Sequence, residues 1–236
     1  MAAGARSRDS HDPPIPPDPP IPPDPPTAPD PPDPPIPPGP PSLPESSRRM
    51  LSAAIDAFAE RGFHATTTRD IAARANLSPA ALYVHYPSKA ALLAQISLHG
   101  HRSALALLEA ALGSATDPVD RLRAVVAGFV RWHAEHHRTA RVVQYELAAL
   151  PADARPQVAD LRRRIEQLVE DVIRDGVAAG AMDVAEPRRV ARAVLSLSVD
   201  VARWYSPGGR DTPEALGRLY ADLASRLVAA RRPAGS

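Results

Sequence analysis

From Pro44 onward the apolar residues recur every three or four positions. Met50, Leu51, Ala54, Ile55 and Phe58 share one face, with Arg49, Ser52, Asp56 and Glu60 opposite, which predicts an amphipathic helix. Gly62 stops it. The spacing from Thr67 to Asp70 has the form of a capping box, and Ile71, Ala72 and Ala75 follow as a short second helix. Asn76 stands where a residue of positive φ is needed, a conformation Asn tolerates best after Gly. Ser78 reads as an N-cap and Pro79 as the first residue of a third helix. Longer helices are predicted near 88–112, 117–136, 138–149, 155–179, 186–205 and 213–231. Breaks fall at Gly113 to Pro118, Pro151 to Pro156, Gly180 to Pro187 and Ser206 to Pro213. No stretch alternates with period two for long enough to make a strand. The expected class is all-α: three short helices, then six longer ones.

Ahead of Pro44 this period is absent. From Asp12 to Pro41 the chain reads as ten triplets, nearly all x-Pro-Pro, whose first positions are mostly Asp or Ile. In polyproline II, with three residues per turn, these positions share one edge of a rod reaching roughly 90 Å. Residues 1–44 are expected to be a disordered proline-rich tail. It reads as a solvated extension from an over-extended start, as a spacer, or as a ligand for a proline-recognising groove.

Charge sharpens this division. The 236 residues carry a formal net charge of +1. The first 44 residues contribute −4, residues 45–95 contribute +2, and the remainder +3. A near-neutral total therefore conceals a basic body. The absence of cysteine excludes disulfides, cysteine zinc sites and a thiol nucleophile. No long apolar run or secretory leader is found, so a cytoplasmic protein is expected. Of 28 basic residues only Lys89 is a lysine.

Residues 62–92 read as helix, tight turn, helix. Such a pair presents its second helix outward. Its start, Ser78, Pro79, Ala80 and Ala81, is small enough for the backbone to sit deep in a major groove, where alanine methyls meet thymine methyls. Tyr83, His85 and Tyr86 have the shape to reach phosphates. Tyr83 reads alternatively as a core aromatic, and His85 as a helix C-cap.

Residues 48–93 resemble the TetR family of helix-turn-helix transcriptional regulators. The matched positions are Gly62-Phe63, Ala65-Thr66-Thr67, Arg69-Asp70-Ile71-Ala72, Ala75-x-Leu77-Ser78 and Leu82-Tyr83-x-His85-Tyr86-Pro87-Ser88-Lys89. Asn76 replaces the usual Gly, and Val84 replaces a common aromatic. The resemblance implies that Thr67 caps the second helix and donates to a phosphate, with Arg69 beside it. It implies that Tyr83 and His85 sit at the strand backbone. Lys89, at the start of the fourth helix, is implied as a phosphate contact favoured by the helix dipole.

The rest of the chain holds no G-x-S-x-G, phosphate loop or H-E-x-x-H, and neither an enzyme nor a cofactor is expected. His133, Glu135, His136 and His137 have metal-like spacing, but read as the solvated, basic end of a helix. By resemblance, residues 45–95 form the DNA-binding domain and 96–232 an effector-binding and dimerisation domain. The last two helices would pair with their symmetry mates through Val190, Val194, Leu197 and Val201 and through Leu216, Leu219 and Leu223. The segment Val201 to Glu214 is similar to one in actinobacterial members that control lipid or sterol breakdown and sense acyl-CoA-like compounds. Phe129, Trp132, Val143, Gln144, Leu147 and Leu168 are the candidate pocket residues. The implied function is a homodimeric repressor, released from a palindromic double-stranded operator by a small, hydrophobic effector. The alternatives are an activator or dual regulator of the same family, or an adaptor acting through the proline-rich tail.

Overall fold

The structure, a computed structural model, describes residues 43–229. The proline triplets lie outside the described residues. Within them the chain forms nine α-helices: α1 (Glu45–Ala65), α2 (Thr68–Arg74), α3 (Pro79–His85), α4 (Lys89–Leu112), α5 (Pro118–Glu135), α6 (His137–Tyr145), α7 (Ala154–Ala178), α8 (Pro187–Trp204) and α9 (Pro213–Val228).

The breaks follow local chemistry. Gly62 has φ 76° and ψ 164°, which interrupts α1 three residues before its end. Thr67 and Asp70 form a reciprocal capping box, with Asp70 N donating to Thr67 Oγ1 and Thr67 N to Asp70 Oδ2. Asn76 has φ 55° and turns the chain between α2 and α3. Ser78, Ser88, Asp117 and Thr212 cap α3, α4, α5 and α9 through their side-chain oxygens. The predicted helix at 138–149 stops at Tyr145, and Leu147–Ala149 makes a 3₁₀ turn. The predicted helix at 213–231 stops at Val228, where Asp183 N donates to the Val228 carbonyl.

The helices α1 to α3 enclose a small core of Met50, Ala54, Phe58, Ile71, Ala72 and Leu82. Helix α4 runs unbroken across the expected division at 95/96. Its Leu92, Leu93 and Ile96 and its Leu105 and Leu108 belong to one continuous core. In the larger body α5 is central, packed against α4, α7, α8 and α9, most extensively against α9. That contact depends on Gly217. A Cβ there would lie 2.7 Å from the Ala127 carbonyl oxygen, so any side chain would push α9 away.

Candidate nucleic-acid interface

Helices α2 and α3, joined through Asn76, expose a short face. Pro79, Ala80, Tyr83 and Val84 all lie on it, while Leu82 is buried beneath as its anchor. Ser78 is exposed, and its Oγ accepts from Ala81 N at 3.1 Å. Ala81 is half-buried against the core. Tyr83 is 52% exposed and is not a core aromatic. Its hydroxyl hydrogen-bonds Thr68 Oγ1 at 3.0 Å, which ties the far end of α3 to the start of α2. Thr67 and Arg69 are exposed on the same turn of α2. His85 is exposed, its ring nitrogens 3.2 and 3.3 Å from the hydroxyls of Ser46 and Ser47. It thereby fixes the end of α3 against the start of α1. Thr68 and Ser46 are polar partners not identified from sequence; the exposed Tyr83 and His85 that need them were the available signal.

Two expected phosphate contacts require correction. Tyr86 is only 8% exposed, packed into the headpiece core. Burial pushes its hydroxyl pKa up, opposed by a hydrogen bond with Ser47. Tyr86 caps α3 in extended conformation, which turns its side chain inward. Lys89 is the second. Its ammonium donates to the carbonyls of Phe63 at 2.8 Å, His64 at 3.2 Å and Thr66 at 2.9 Å, and lies 4.4 Å from the Phe63 ring centroid. An ammonium has three N–H donors. All three are spent on the frayed C-terminus of α1, whose partial negative charge attracts a cation.

The headpiece is also gripped from α6. Arg138 is buried, with Nη2 3.2 Å from Asp56 Oδ1 and 3.1 Å from Glu60 Oε1. Glu60 also takes a two-pronged contact from Arg74, and these guanidiniums hold its carboxyl below the usual range. Just beyond α6, Glu146 Oε1 accepts from Phe63 N at 2.9 Å, beside the Gly62 kink. Helices α4 and α6 thus both connect the reading face to the larger body.

In that body the predicted residues divide. Leu197, Leu219 and Leu223 are exposed, about half of each side chain facing outward, and Trp204 and Leu227 extend the same apolar surface. Val194, Val201 and Leu216 are buried within the protomer and Val190 is half-buried, so these four do not form the outer surface. The reason is that α8 and α9 each carry two apolar faces. The inner ones pack on α5 and α7.

Of the pocket candidates, Phe129, Trp132 and Val143 are core residues. Gln144 is half-buried and accepts from Arg162 at 3.2 Å, and Leu147 is half-buried in the 3₁₀ turn. Leu168 does line a cavity, of about 610 Å³, whose walls are mixed: Leu105, Leu112 and Val172 beside the charged Glu109, Arg121, Arg164, Asp171 and Asp175. The histidine segment also departs from expectation. His133, His136 and His137 are buried, not a solvated helix end, because α6 folds directly back from α5 at His136. Burial depresses the His133 pKa to about 4 and lowers that of His101. Among the described residues no group of histidines and carboxylates is arranged to hold a metal ion.

Comparison with known proteins places this geometry. Residues 50–96 match the family described as "Bacterial regulatory proteins, tetR family", and residues 115–228 match "Tetracyclin repressor-like, C-terminal domain". The HTH-type transcriptional repressor KstR2 of Mycolicibacterium smegmatis is 32% identical over 187 residues, covering 76% of this chain and 89% of its own. The HTH-type transcriptional activator FasR of the same organism is 30% identical over 166 residues, 69% of this chain and 74% of its own. A crystal structure of a bacterial regulatory protein from Rhodococcus RHA1, in the same family, superposes with a TM-score of 0.75 at 39% identity, covering 80% of this chain and 100% of that one.

Proposed function

The chain belongs to the TetR family of helix-turn-helix transcriptional regulators, and from that premise we propose a homodimeric repressor that leaves its operator when a small hydrophobic effector binds. Members of this family bind operator DNA as dimers and respond to small-molecule effectors. The observation that carries the reading is the exposed start of α3. Ser78, Pro79, Ala80 and Ala81 follow a left-handed Asn76 on a helix anchored by buried Leu82.

In this reading Ser78, Pro79, Ala80 and Ala81 enter the major groove and meet base edges. Thr67, Arg69, Tyr83 and His85 hold the sugar-phosphate backbone on either side. Lys89 and Tyr86 support this surface from behind. The outer stripe of Leu197, Trp204, Leu219, Leu223 and Leu227 pairs with a second copy, setting two reading helices about one DNA turn apart. The cavity between α4 and α7 is the effector site, and acyl-CoA-like compounds are the class implied by the likeness of Val201 to Glu214. A ligand there shifts the headpiece only through unequal affinity for two arrangements of α4 and α6. No helix among the described residues is long and apolar enough to cross a membrane. The reading is cytoplasmic and non-enzymatic, in keeping with relatives that are transcriptional regulators.

The activator FasR among the relatives keeps activation as a second reading. A reporter driven by the DNA upstream of the chain's own gene tests both. Repression predicts lower expression when the protein is supplied, and activation predicts higher. Ala80→Gln should change the preferred operator sequence; an unchanged preference would remove α3 from the base-reading role.

A further inference from the structure

The outward face of α3 carries one side chain that neither packing nor helix formation asks for. Val84 is 81% exposed, the most exposed of the large apolar side chains among the described residues. Valine is a poorer helix former than alanine, because its branched side chain loses rotamer freedom against the preceding turn. In a helix of seven residues that ends at His85, an exposed valine therefore subtracts from stability and buries almost nothing within the protomer. Val84 is also a position at which this chain departs from the aromatic common in the family.

Its place on the helix is specific. Leu82, the buried anchor, marks the inner side of α3. The residues two before and two after an anchor point about 160° away from it. Here these are Ala80 and Val84, which lie four residues apart and so share one ridge. Four residues rise about 6 Å along a helix, against about 3.4 Å per base step of DNA. The outermost ridge of α3 is therefore all hydrocarbon, and it spans about two base steps when the helix lies along the major groove.

The polar groups around this ridge are engaged within the headpiece. Ser78 Oγ accepts from Ala81 N at 3.1 Å, the Tyr83 hydroxyl lies 3.0 Å from Thr68 Oγ1, and the His85 ring nitrogens lie 3.2 and 3.3 Å from the hydroxyls of Ser46 and Ser47. No amide, carboxylate or guanidinium stands on α3, so the bidentate pairings that identify guanine or adenine have no source there. Ser78 retains a hydroxyl proton, but a lone hydroxyl pairs with several base edges and separates them little. What an isopropyl group recognises is another hydrocarbon. In the major groove only thymine offers one, its C5 methyl. Valine, stiff at χ1, loses little freedom on meeting it.

We infer that Val84, with Ala80 beside it, reads thymine C5 methyls, so that the half-site is chosen at these positions by methyl contact and not by hydrogen bonds to base edges. This rests on the operator-binding reading above and names the chemical feature of the operator that α3 selects.

The DNA upstream of the chain's own gene, prepared once with thymine and once with uracil at every thymine position, differs only in that methyl. In mobility shifts of the full chain the uracil duplex should bind about tenfold more weakly, because methyl contacts are lost in both half-sites. Val84→Ala should weaken the thymine duplex several-fold and the uracil duplex by about twofold at most, which shrinks the preference to about threefold. Since Val84 is exposed, the variant should melt at the parent's temperature. Equal binding of the two duplexes by the parent would overturn the inference. So would a thymine preference that Val84→Ala leaves intact, since the methyl would then act through DNA shape or through another residue. No shift on the thymine duplex counts against the operator reading, and the inference falls with it. A shift that ignores the methyl counts against this inference alone.

Discussion

The headpiece and the larger body solve the same problem, polar groups in a helical protein, in opposite ways. In the headpiece the polar side chains sit at helix ends and close on their neighbours. Thr67 and Asp70 satisfy each other, Ser78 and Ser88 cap the helices they precede, and Lys89 seals the end of α1. In the body Ser97, Trp132 and His136 are buried in mid-fold without partners among the described residues. A reading surface gains from rigidity, since a displaced recognition helix loses its base contacts. A sensing body gains from a second arrangement within reach, because a ligand shifts an equilibrium only by its differential affinity. The helices that join the regions, α4 and α6, carry the contacts through which one could influence the other.

The largest effect expected lies on the body's outer face. Leu197→Asp introduces a charge into an exposed apolar stripe while leaving the buried stripe intact. Sedimentation should report monomers, and operator affinity should fall by about a hundredfold or more, because the second half-site no longer benefits from linkage. Dimers that keep full affinity would remove this face from the interface.

Next is the pH response of the buried histidines. A folded-state pKa of about 4 for His133 means that the unfolded chain binds more protons at intermediate pH. Its contribution is fully present above pH about 6.5 and is lost as pH falls toward about 4, on the order of 3 kcal/mol. His101 is shifted in the same direction. Urea melts across this window should show stability declining with acidity, and His133→Phe should flatten the slope. The headpiece, with no buried histidine of this kind among its described residues, should not supply it.

Lys89→Met sharpens the contrast from the other side. Removing three charged donors from the end of α1 should lower stability by about 1–3 kcal/mol, read as a lower melting temperature. The salt dependence of DNA affinity should stay unchanged, since no phosphate contact is lost. A slope shallower by about one would return Lys89 to the phosphates. Tyr83→Phe is the mildest change. It removes the hydroxyl beside Thr68 and should weaken operator and random DNA alike, by about three- to tenfold.

The same contrast governs how much was legible beforehand. Helix periodicity located the helices of the described residues to within a few residues, because their apolar residues recur every three or four positions. The headpiece turns were legible because their causes are local: Gly62, Asn76, and the capping spacing of Thr67 and Ser78. What a motif does not contain is the partner of each side chain. Lys89 stands at the matched position, yet its ammonium faces α1. Tyr86 sits next to exposed His85, yet turns inward. On α8 the stripe through Val194 and Val201 was as apolar as the outer one through Leu197 and Trp204, and only packing against α5 and α7 decides which faces out. The histidines were misread because a polar run next to Arg138 and Arg141 resembles a solvated end; the reversal at His136 that buries it is tertiary.

The central claim, a dimer reading DNA through α3, is tested most directly by stoichiometric titration of the full chain onto a fluorescent duplex from the DNA upstream of its own gene. The account predicts saturation at two protomers, or a multiple of two, per operator, with affinity falling steeply as salt rises and lost on Leu197→Asp. Saturation at one protomer per site, or equal affinity for upstream and unrelated DNA, would contradict it.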